Sequence, residues 1–239
     1  MTPAPVARFM ARQFSSLSGH VNLLDPGAGV GALTAAFVER LLANPNKVES
    51  CFITAYEVES TFLSSLKECL IKCCVALESR GIQANYCLHE ESFIKSFTEI
   101  NLPLFSKSSI RFTHAILNPP YKKINKQSIE NKTLSNFGFE TVNLYSAFVW
   151  LTVLQLAENG EIVAITPRSF CNGAYYRPFR KAFLEKIKLK KIHVFESRST
   201  AFCEDGVLQE NIIFHALKSG EKPNHVEISS ILEPMQMIF

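Results

Sequence analysis

Short, mostly apolar runs alternate with segments of helical spacing along most of this chain. A run of four to eight such residues between turn residues is typical of a buried strand. Seven runs have this character, at Val21–Asp25, Phe52–Tyr56, Ala84–Leu88, His114–Leu117, Glu161–Thr166, Ile192–Phe195 and Asn211–Ala216. Apolar residues recur with helical spacing between them, at Ala32–Leu42, Thr61–Ser79, Asn143–Ala157 and Tyr175–Lys186.

This alternation predicts an α/β fold, with a mostly parallel seven-stranded sheet and helices on both of its faces. The last two strands follow each other without a helix, so we expect an antiparallel strand at one edge of the sheet. The pattern is lost after Gly220. We therefore assign residues 1–220 to one domain and expect residues 221–239 to be a linker or the start of another domain.

Composition narrows the class of protein. The chain has 239 residues, of which 47% are hydrophobic and 20% charged, as in ordinary globular proteins, and its net charge of +3 does not by itself indicate a nucleic-acid partner. No apolar run approaches the roughly 18 residues that a membrane span needs, and the N-terminus lacks the features of a signal peptide. The seven cysteines include no CxxC pair, so we expect free thiols in a reducing cytoplasm and no metal site.

A glycine-rich loop joins the first strand to the first of these helical segments, with the sequence Asp25-Pro26-Gly27-Ala28-Gly29-Val30-Gly31. Glycines let the backbone turn sharply and approach a ligand closely, and the helix N-terminus adds free amides. Dinucleotide-binding loops have similar glycine spacing, but a leading acid is not part of that pattern. We expect Gly27, Ala28, Gly29 and Gly31 to contact a cofactor. Asp25 would hold its amino-acid end, directly or through water.

Two further strand ends carry candidate ligands. Glu57 ends the second strand, where a carboxylate can accept hydrogen bonds from ribose hydroxyls. Val58 lies beside it, and Glu59 is the alternative carboxylate. Ser92 and Phe93 follow the third strand. Phe93 either stacks on an adenine ring or packs in the core.

The tetrapeptide Asn118-Pro119-Pro120-Tyr121 follows the fourth strand. Open α/β sheets bind ligands at the carboxyl ends of their strands. Two consecutive prolines remove two backbone donors and stiffen the turn. Asn118 offers one acceptor and two donors, and Tyr121 offers a flat ring. This combination suits a planar amine such as the Watson–Crick edge of adenine.

Together these residues resemble class I S-adenosylmethionine-dependent methyltransferases that act on the exocyclic amine of adenine in DNA. The resemblance includes Thr2-Pro3 at the N-terminus, the glycine-rich loop, Glu57 and the Asn118–Tyr121 turn. Three longer stretches resemble the BsuBI/PstI modification methylases of type II restriction–modification systems. They are Asn143–Phe148, Ile165–Gly173 and Val207–Phe214.

The resemblance implies a Rossmann-like catalytic domain at residues 1–220. It would be a site-specific, adenine-specific DNA methyltransferase that uses S-adenosyl-L-methionine and methylates N6 of an extruded adenine. The implied partner is double-stranded DNA, with CTGCAG as one candidate target. A cognate restriction endonuclease would belong to the same system without direct contact. The implied location is the prokaryotic cytoplasm.

The resemblance also assigns roles to individual residues. Asn118 and the Pro119 carbonyl would accept hydrogen bonds from the adenine amine, and Tyr121 would stack on the base. Phe202 would either cover the other face of the base or anchor a loop. Further cofactor contacts are implied for Thr2, Pro3, Asn118 and Pro120. The candidates for contacts with DNA phosphates are Lys122, Lys123, Lys126 and Arg168.

The chain departs from the family's pattern in two places. Ser92 stands where the family has an acid that bonds the cofactor's adenine amine, which weakens that contact or transfers it to Glu91. Full-length relatives continue into a target-recognition domain, so residues 221–239 would be a linker or the start of such a domain, which could also be a separate partner.

Two alternatives stay open at this point. The same tetrapeptide serves methyltransferases that modify the side-chain amide of glutamine in proteins. The two departures are also consistent with an inactive remnant of such a methyltransferase, which would bind cofactor or DNA without turnover. A NAD-dependent oxidoreductase is a more distant reading, because no catalytic Tyr-x-x-x-Lys or His constellation accompanies the glycine-rich loop.

Overall fold

The computed structural model describes residues 1–15, 17–100, 111–124, 134, 143–195 and 211–231. The strands are β1 Gly19–Asp25, β2 Val48–Tyr56, β3 Gln83–His89, β4 Phe112–Leu117, β5 Leu156–Pro167, β6 Ile187–Phe195, β7 Asn211–Lys218 and β8 Glu227–Ile231. The helices are α1 Ala4–Arg12, α2 Ala32–Leu42, α3 Ser60–Glu78, α4 Phe93–Ile100, α5 Leu144–Gln155, α6 Ser169–Asn172 and α7 Arg177–Lys186.

The strands of this described part form one sheet in the order β3-β2-β1-β4-β5-β7-β6-β8. The predicted α/β class and the mostly parallel sheet are confirmed, but the strand count and the position of the antiparallel strand were wrong. β7 runs antiparallel to both β5 and β6 and lies inside the sheet. The missing helix before β7 correctly indicates that it pairs antiparallel with β6, but it does not indicate on which side of β6 the strand inserts.

The edge beyond β6 is occupied by β8, which the hydrophobic pattern did not predict. β8 pairs in parallel with β6, with Ile192 opposite Ile228. Its sequence Glu-Ile-Ser-Ser-Ile is mostly polar, as edge strands commonly are. The sheet therefore continues past residue 220, which the sequence analysis took as the end of the domain.

Alternate residues of the central strands pack against helices on opposite faces of the sheet. Ala115 and Leu117 of β4 belong to one hydrophobic cluster, which includes residues of α4, α5 and α7. Ile116, between them, belongs to a second cluster, which includes residues of α1, α2 and α3. Both faces of the sheet are thus buried, which explains why its central strands are nearly continuous apolar runs.

The four predicted helical segments agree with α2, α3, α5 and α7 to within a few residues, whereas α1, α4 and the short α6 were not predicted. α3 ends before Gly81, whose backbone has a φ of 76°. The Gly81 N–H donates to Glu78 O over 2.9 Å, so this glycine closes the helix. Within the described residues, no helix is long and apolar enough to cross a membrane.

A buried polar cluster joins the segment after α1 to the middle of the sheet. Glu161 on β5 is only 2% exposed. Its carboxylate accepts from the backbone N–H and the hydroxyl of Ser15, over 2.8 and 3.0 Å. The Nε2 atom of His215 on β7 lies 2.7 Å from the same carboxylate. Buried ionisable groups persist only when such partners satisfy them.

Replacing this carboxylate should destabilise the fold. We expect Glu161→Ala to lower the free energy of unfolding by about 3 kcal/mol or more, because it leaves His215 and Ser15 without their buried partner. Urea denaturation at pH 7 measures this loss. The matched control is Glu39→Ala, which removes an exposed ion pair with Arg8 and should change stability by less than about 1 kcal/mol. Equal effects of the two substitutions would contradict the assigned role of Glu161.

Candidate active site

A cavity of about 990 Å³ opens at the carboxyl ends of the central strands. Its wall comprises the N-terminal residues, the loop after β1, the ends of β2, β3 and β4, and the start of α5. This site lies at the point where the order of the strands reverses, since β1 pairs with β2 on one side and with β4 on the other. Ligands of doubly wound sheets bind at such switch points.

Most of the residues that the sequence predicted for the site line this one cavity. They are Thr2, Gly27, Ala28, Gly29, Glu57, Val58, Ser92, Phe93, Asn118, Pro119, Pro120, Tyr121, Lys122 and Lys123. Pro3, Asp25, Gly31 and Arg168 do not line it. Lys126 and Phe202 lie outside the described residues.

The glycine-rich loop is held close to β2 and α3. The Ala28 N–H donates to Tyr56 O over 2.9 Å, which fixes the loop against the end of β2. Gly31 precedes α2 with a φ of 88°. A Cβ atom there would lie 2.7 Å from the Cys69 sulfur, so both the conformation and the space require glycine. The loop therefore presents the start of α2, including Ala32, to the cavity.

Glu57 binds the loop from the neighbouring strand end. Its Oε2 accepts from the Gly29 N–H over 2.7 Å. Its Oε1 accepts from the backbone N–H groups of Val58 and Glu59, both over 2.8 Å. A carboxylate has about four lone-pair sites, so the three bonds leave capacity for a ligand hydroxyl. Glu59, the alternative carboxylate, does not line the cavity.

Asp25 occupies a different environment beneath the loop. Its side chain is fully buried, and its Oδ2 accepts from the Thr34 hydroxyl over 2.8 Å. Burial raises the pKa of Asp25 to about 7, although the hydrogen bond from Thr34 opposes this shift. Because the carboxylate does not reach the cavity, a contact through water is the remaining form of the predicted cofactor contact.

The end of β3 supplies one aromatic and two polar side chains. Phe93 is 1% exposed and packs edge-on against Tyr56, with ring centres 5.2 Å apart, while it also contributes to the cavity wall. The packing alternative for Phe93 is therefore realised, and adenine stacking stays a prediction. Ser92 and Glu91 both line the cavity, and Glu91 lies 3.7 Å from the Nδ1 atom of His89.

A side-chain hydrogen bond connects the Asn118 turn to the N-terminus. The Nδ2 atom of Asn118 donates to the Thr2 hydroxyl over 3.0 Å, between residues 116 positions apart in sequence. Because the amide donor is used in this way, the carbonyl oxygen Oδ1 is the acceptor that Asn118 can offer to a ligand in the cavity.

Tyr121 is fixed at both ends of its side chain. Its hydroxyl donates to Ile165 O on β5 over 3.5 Å. Its ring meets the ring of Tyr145 edge-on, with centres 6.3 Å apart. Tyr145 is buried, and its hydroxyl lies 3.4 Å from that of Ser169. The Tyr121 ring is therefore supported by α5 and α6 while it lines the cavity.

Two exposed lysines follow this turn. The carbonyl of Lys122 accepts from the Leu144 N–H over 2.9 Å, and Lys123 forms an isolated bridge with Asn143. Their backbone is thus fixed to the start of α5, at the rim of the cavity. Arg168 lies at the end of β5, away from the cavity wall.

Ten further residues of the described part of the chain line the cavity although the sequence did not single them out for this site: Met1, Ala32, Leu33, Tyr56, Phe62, Ile94, Ile124, Leu144, Phe148 and Asn211. Nine of them are apolar or aromatic, and nothing in the sequence distinguishes them from core residues. Asn211 begins a buried strand, and a polar residue at that place was the one available signal.

Known proteins match both the sequence and the fold. The model of the Eco57I restriction-modification methylase family matches residues 30–202. The chain is 43% identical over 230 residues to the type II methyltransferase M.PstI of Providencia stuartii, covering 96% of this chain and 45% of that protein. It is 44% identical over 233 residues to M.BsuBI of Bacillus subtilis, covering 95% and 45%. The chain thus spans about half the length of these curated relatives.

Solved structures agree on the fold. A Listeria monocytogenes protein described as a class I S-adenosylmethionine-dependent methyltransferase superposes with a TM-score of 0.72 at 13% identity, covering 99% of this chain and 67% of that one. The type IIG restriction endonuclease BpuSI superposes with a TM-score of 0.67 at 19% identity, covering 100% and 27%. At these identities the likeness establishes the fold of class I methyltransferases and nothing further.

The buried Asp25 should make stability depend on pH. The pKa of this carboxyl group is raised from 3.8 to about 7 in the folded protein. The folded state therefore loses stability as pH rises from about 4 to about 7, by on the order of 4 kcal/mol at 1.36 kcal/mol per pKa unit. We expect Asp25→Asn, which keeps an acceptor for Thr34, to remove this loss.

The measurement is the free energy of unfolding in urea for the wild type and Asp25→Asn at pH 4, 5.5, 7 and 8. The difference in the free energy of unfolding between the two proteins should grow with pH and level off above about pH 7. If this difference were the same at every pH, Asp25 would not titrate in this range.

Proposed function

Because the chain belongs to the Eco57I restriction-modification methylase family, we propose that it transfers a methyl group from S-adenosylmethionine to N6 of an adenine extruded from duplex DNA. The observation that carries this proposal is the shared cavity. It brings the Asn118–Tyr121 turn together with the glycine-rich loop and Glu57. One open space thus holds the groups suited to bind a cofactor and those suited to hold a planar amine.

Three observations support the binding of S-adenosylmethionine by the residues of this cavity. The loop is kept open by Gly31, where a side chain has no room. Glu57 keeps acceptor capacity for a ribose hydroxyl after its three backbone bonds. The cavity continues past Val58 and Phe93, which offer apolar surface for a flat ring. In this proposal these residues hold S-adenosylmethionine, with Thr2 and Pro120 as further contacts.

The bound cofactor supplies a methyl group on a positively charged sulfur. The protein's part is to hold the amine. The Oδ1 atom of Asn118 accepts one hydrogen of the target amine and the Pro119 carbonyl accepts the other, which directs the nitrogen lone pair toward the methyl group. No basic residue would need to remove a proton first: the neutral amine would bond the methyl carbon as the carbon–sulfur bond breaks to leave S-adenosylhomocysteine, and the methylated nitrogen would then release its extra proton to water. Positioning of this kind can contribute several kcal/mol to catalysis.

The target base must leave the duplex to reach this cavity. Tyr121 offers a supported ring on which the extruded base stacks. Lys122 and Lys123 lie at the rim, where their charges attract backbone phosphates. Arg168 is a further phosphate candidate at the end of β5.

In this proposal, the bases that flank the target adenine are recognised by a region other than the cavity. The chain spans 45% of each curated relative. We propose that a target-recognition domain, in the remaining length or in a partner, reads the base sequence. A cognate restriction endonuclease would recognise the same site. The BsuBI/PstI resemblance makes CTGCAG the first target to test.

The direct test is methyl transfer. The chain is incubated with labelled S-adenosylmethionine and unmethylated duplex DNA that contains CTGCAG, and the DNA is digested to nucleosides for mass detection. We expect labelled N6-methyladenine, reduced at least about a thousandfold by Asn118→Ala, because that variant loses the acceptor for the amine. A duplex with the same composition and no CTGCAG controls for the target.

Each other outcome identifies an alternative. Labelled N4-methylcytosine would retain DNA methylation and overturn the adenine assignment. Label on a glutamine-containing peptide, with none on DNA, would identify a protein methyltransferase. Cofactor binding without transfer to any substrate would mean either that recognition needs another region or a partner, or that the protein is a remnant; in both cases this chain does not perform the proposed reaction alone.

Thr2 should affect the rate through Asn118. Thr2→Val removes the hydroxyl that accepts from the Asn118 amide, so the amide can turn its donor toward the target amine. We expect the single-turnover rate at saturating cofactor to fall about tenfold, equivalent to about 1.4 kcal/mol. Thr2→Ser, which keeps the hydroxyl, should restore most of the rate. A weaker affinity for S-adenosylhomocysteine with an unchanged rate would show that Thr2 acts on the cofactor alone.

A further inference from the structure

Asn211 is a buried polar residue in the wall of the cavity. It is the first residue of β7 and is 4% exposed. Its Oδ1 atom has no hydrogen-bond partner among the described residues. Several other buried side chains there have an unpaired polar atom, but Asn211 is the one among them that lines the cavity. A buried amide normally has partners, so its position indicates that a ligand supplies one.

The sheet places Asn211 away from the cofactor end of the cavity. Asn211 pairs with Pro167 at the end of β5, and β5 pairs with β4, which leads into Asn118. Neighbouring strands are about 4.8 Å apart, so Asn211 lies roughly 10 Å across the sheet from the Asn118 turn. The glycine-rich loop and Glu57 lie on the opposite side of β4, after β1 and β2.

The side chain of Tyr121 extends from the Asn118 turn toward β7 and reaches β5. Its hydroxyl bonds Ile165 O on β5, the strand between β4 and β7. A flat base stacked on this ring, with its amine at Asn118, extends its other edge toward β7. A nucleobase is several ångströms wide, so its ring nitrogens come within reach of the Asn211 amide. The ring nitrogens of adenosine are acceptors, so Asn211 binds them with its Nδ2 donor, which a half-turn about the terminal bond places where Oδ1 stands.

We propose that Asn211 hydrogen-bonds a ring nitrogen of the extruded base and thereby makes the site select a nucleobase over a side-chain amide. This inference rests on the proposed function, since it extends the same site to its base-binding end. The reacting amine is common to adenine, cytosine and a glutamine amide. A second contact at the ring edge separates a nucleobase from an amide, which has no ring nitrogen.

The test uses a ligand that fills both ends of the cavity without duplex DNA. The probe is a bisubstrate compound in which N6 of adenosine is joined through a short linker to the atom that replaces the sulfur in an S-adenosylhomocysteine analogue. Calorimetry compares its affinity with that of S-adenosylhomocysteine for the wild type, Asn211→Ala and Asn211→Asp. The matched control is Asn172→Ala, since Asn172 is an exposed asparagine on α6.

We expect the wild-type chain to bind the bisubstrate compound at least tenfold more tightly than S-adenosylhomocysteine. Asn211→Ala should lose most of this gain and keep the affinity for S-adenosylhomocysteine, which also shows that the variant is folded. Asn211→Asp should lose at least as much, because a carboxylate cannot donate to a ring nitrogen. Asn172→Ala should match the wild type.

Three results would overturn the proposal. They are an unchanged bisubstrate affinity in Asn211→Ala, an equal loss for both ligands, and a wild type that gains nothing from the added adenosine. If the wild type gains nothing from the added adenosine but binds S-adenosylhomocysteine normally, the proposed base pocket is rejected and the proposed cofactor site is retained. If neither ligand binds, the proposed function itself is rejected.

Discussion

Parallel pairing of β1 with β4 is the contact on which the site depends. Its register places Leu23 opposite His114 and Leu24 opposite Ala115. The two strands end within a few residues of each other, so the glycine-rich loop after Asp25 and the turn beginning at Asn118 leave the sheet at the same level. The two halves of the chain contribute the two halves of the cavity, and a shift in this register would separate them. The bond from Asn118 to Thr2 adds a third segment to the same place.

Two carboxylates near the loop have opposite environments and therefore different properties. Glu57 faces three backbone N–H donors at the cavity wall, which suit an ionised carboxylate that can still accept from a ligand. Asp25 is fully buried with one hydroxyl donor, and burial raises its pKa to about 7. Of these two carboxylates, only Glu57 lines the cavity and can contact a ligand there. Asp25 supports the loop from below and bonds the first turn of α2 through Thr34.

Sequence patterns predicted the central part of the fold and most of the cavity wall for a physical reason. Parallel strands buried on both faces leave long apolar runs, and chemically distinctive residues follow their carboxyl ends. The same reasoning failed where the signal depends on tertiary contacts. β8 is mostly polar and forms because β6 offers an open edge. β6 begins at Ile187, whereas the pattern predicted only Ile192–Phe195, because the first half of this strand is rich in lysine and is not an apolar run. For Asp25 and Phe93, the pattern indicated their place in the chain but not the direction of their side chains.

The cavity is wide enough to hold two ligands side by side. Its wall extends from Glu57 at the end of β2, past the loop after β1 and the end of β4, to Asn211 at the start of β7. The five neighbouring strands β2, β1, β4, β5 and β7, at about 4.8 Å spacing, span roughly 19 Å. The Asn118 turn lies near the middle of this span. In the proposed reaction, an amine held there would meet the cofactor on the loop side and belong to a base on the β7 side, so each of the two bound molecules would occupy one half of the cavity.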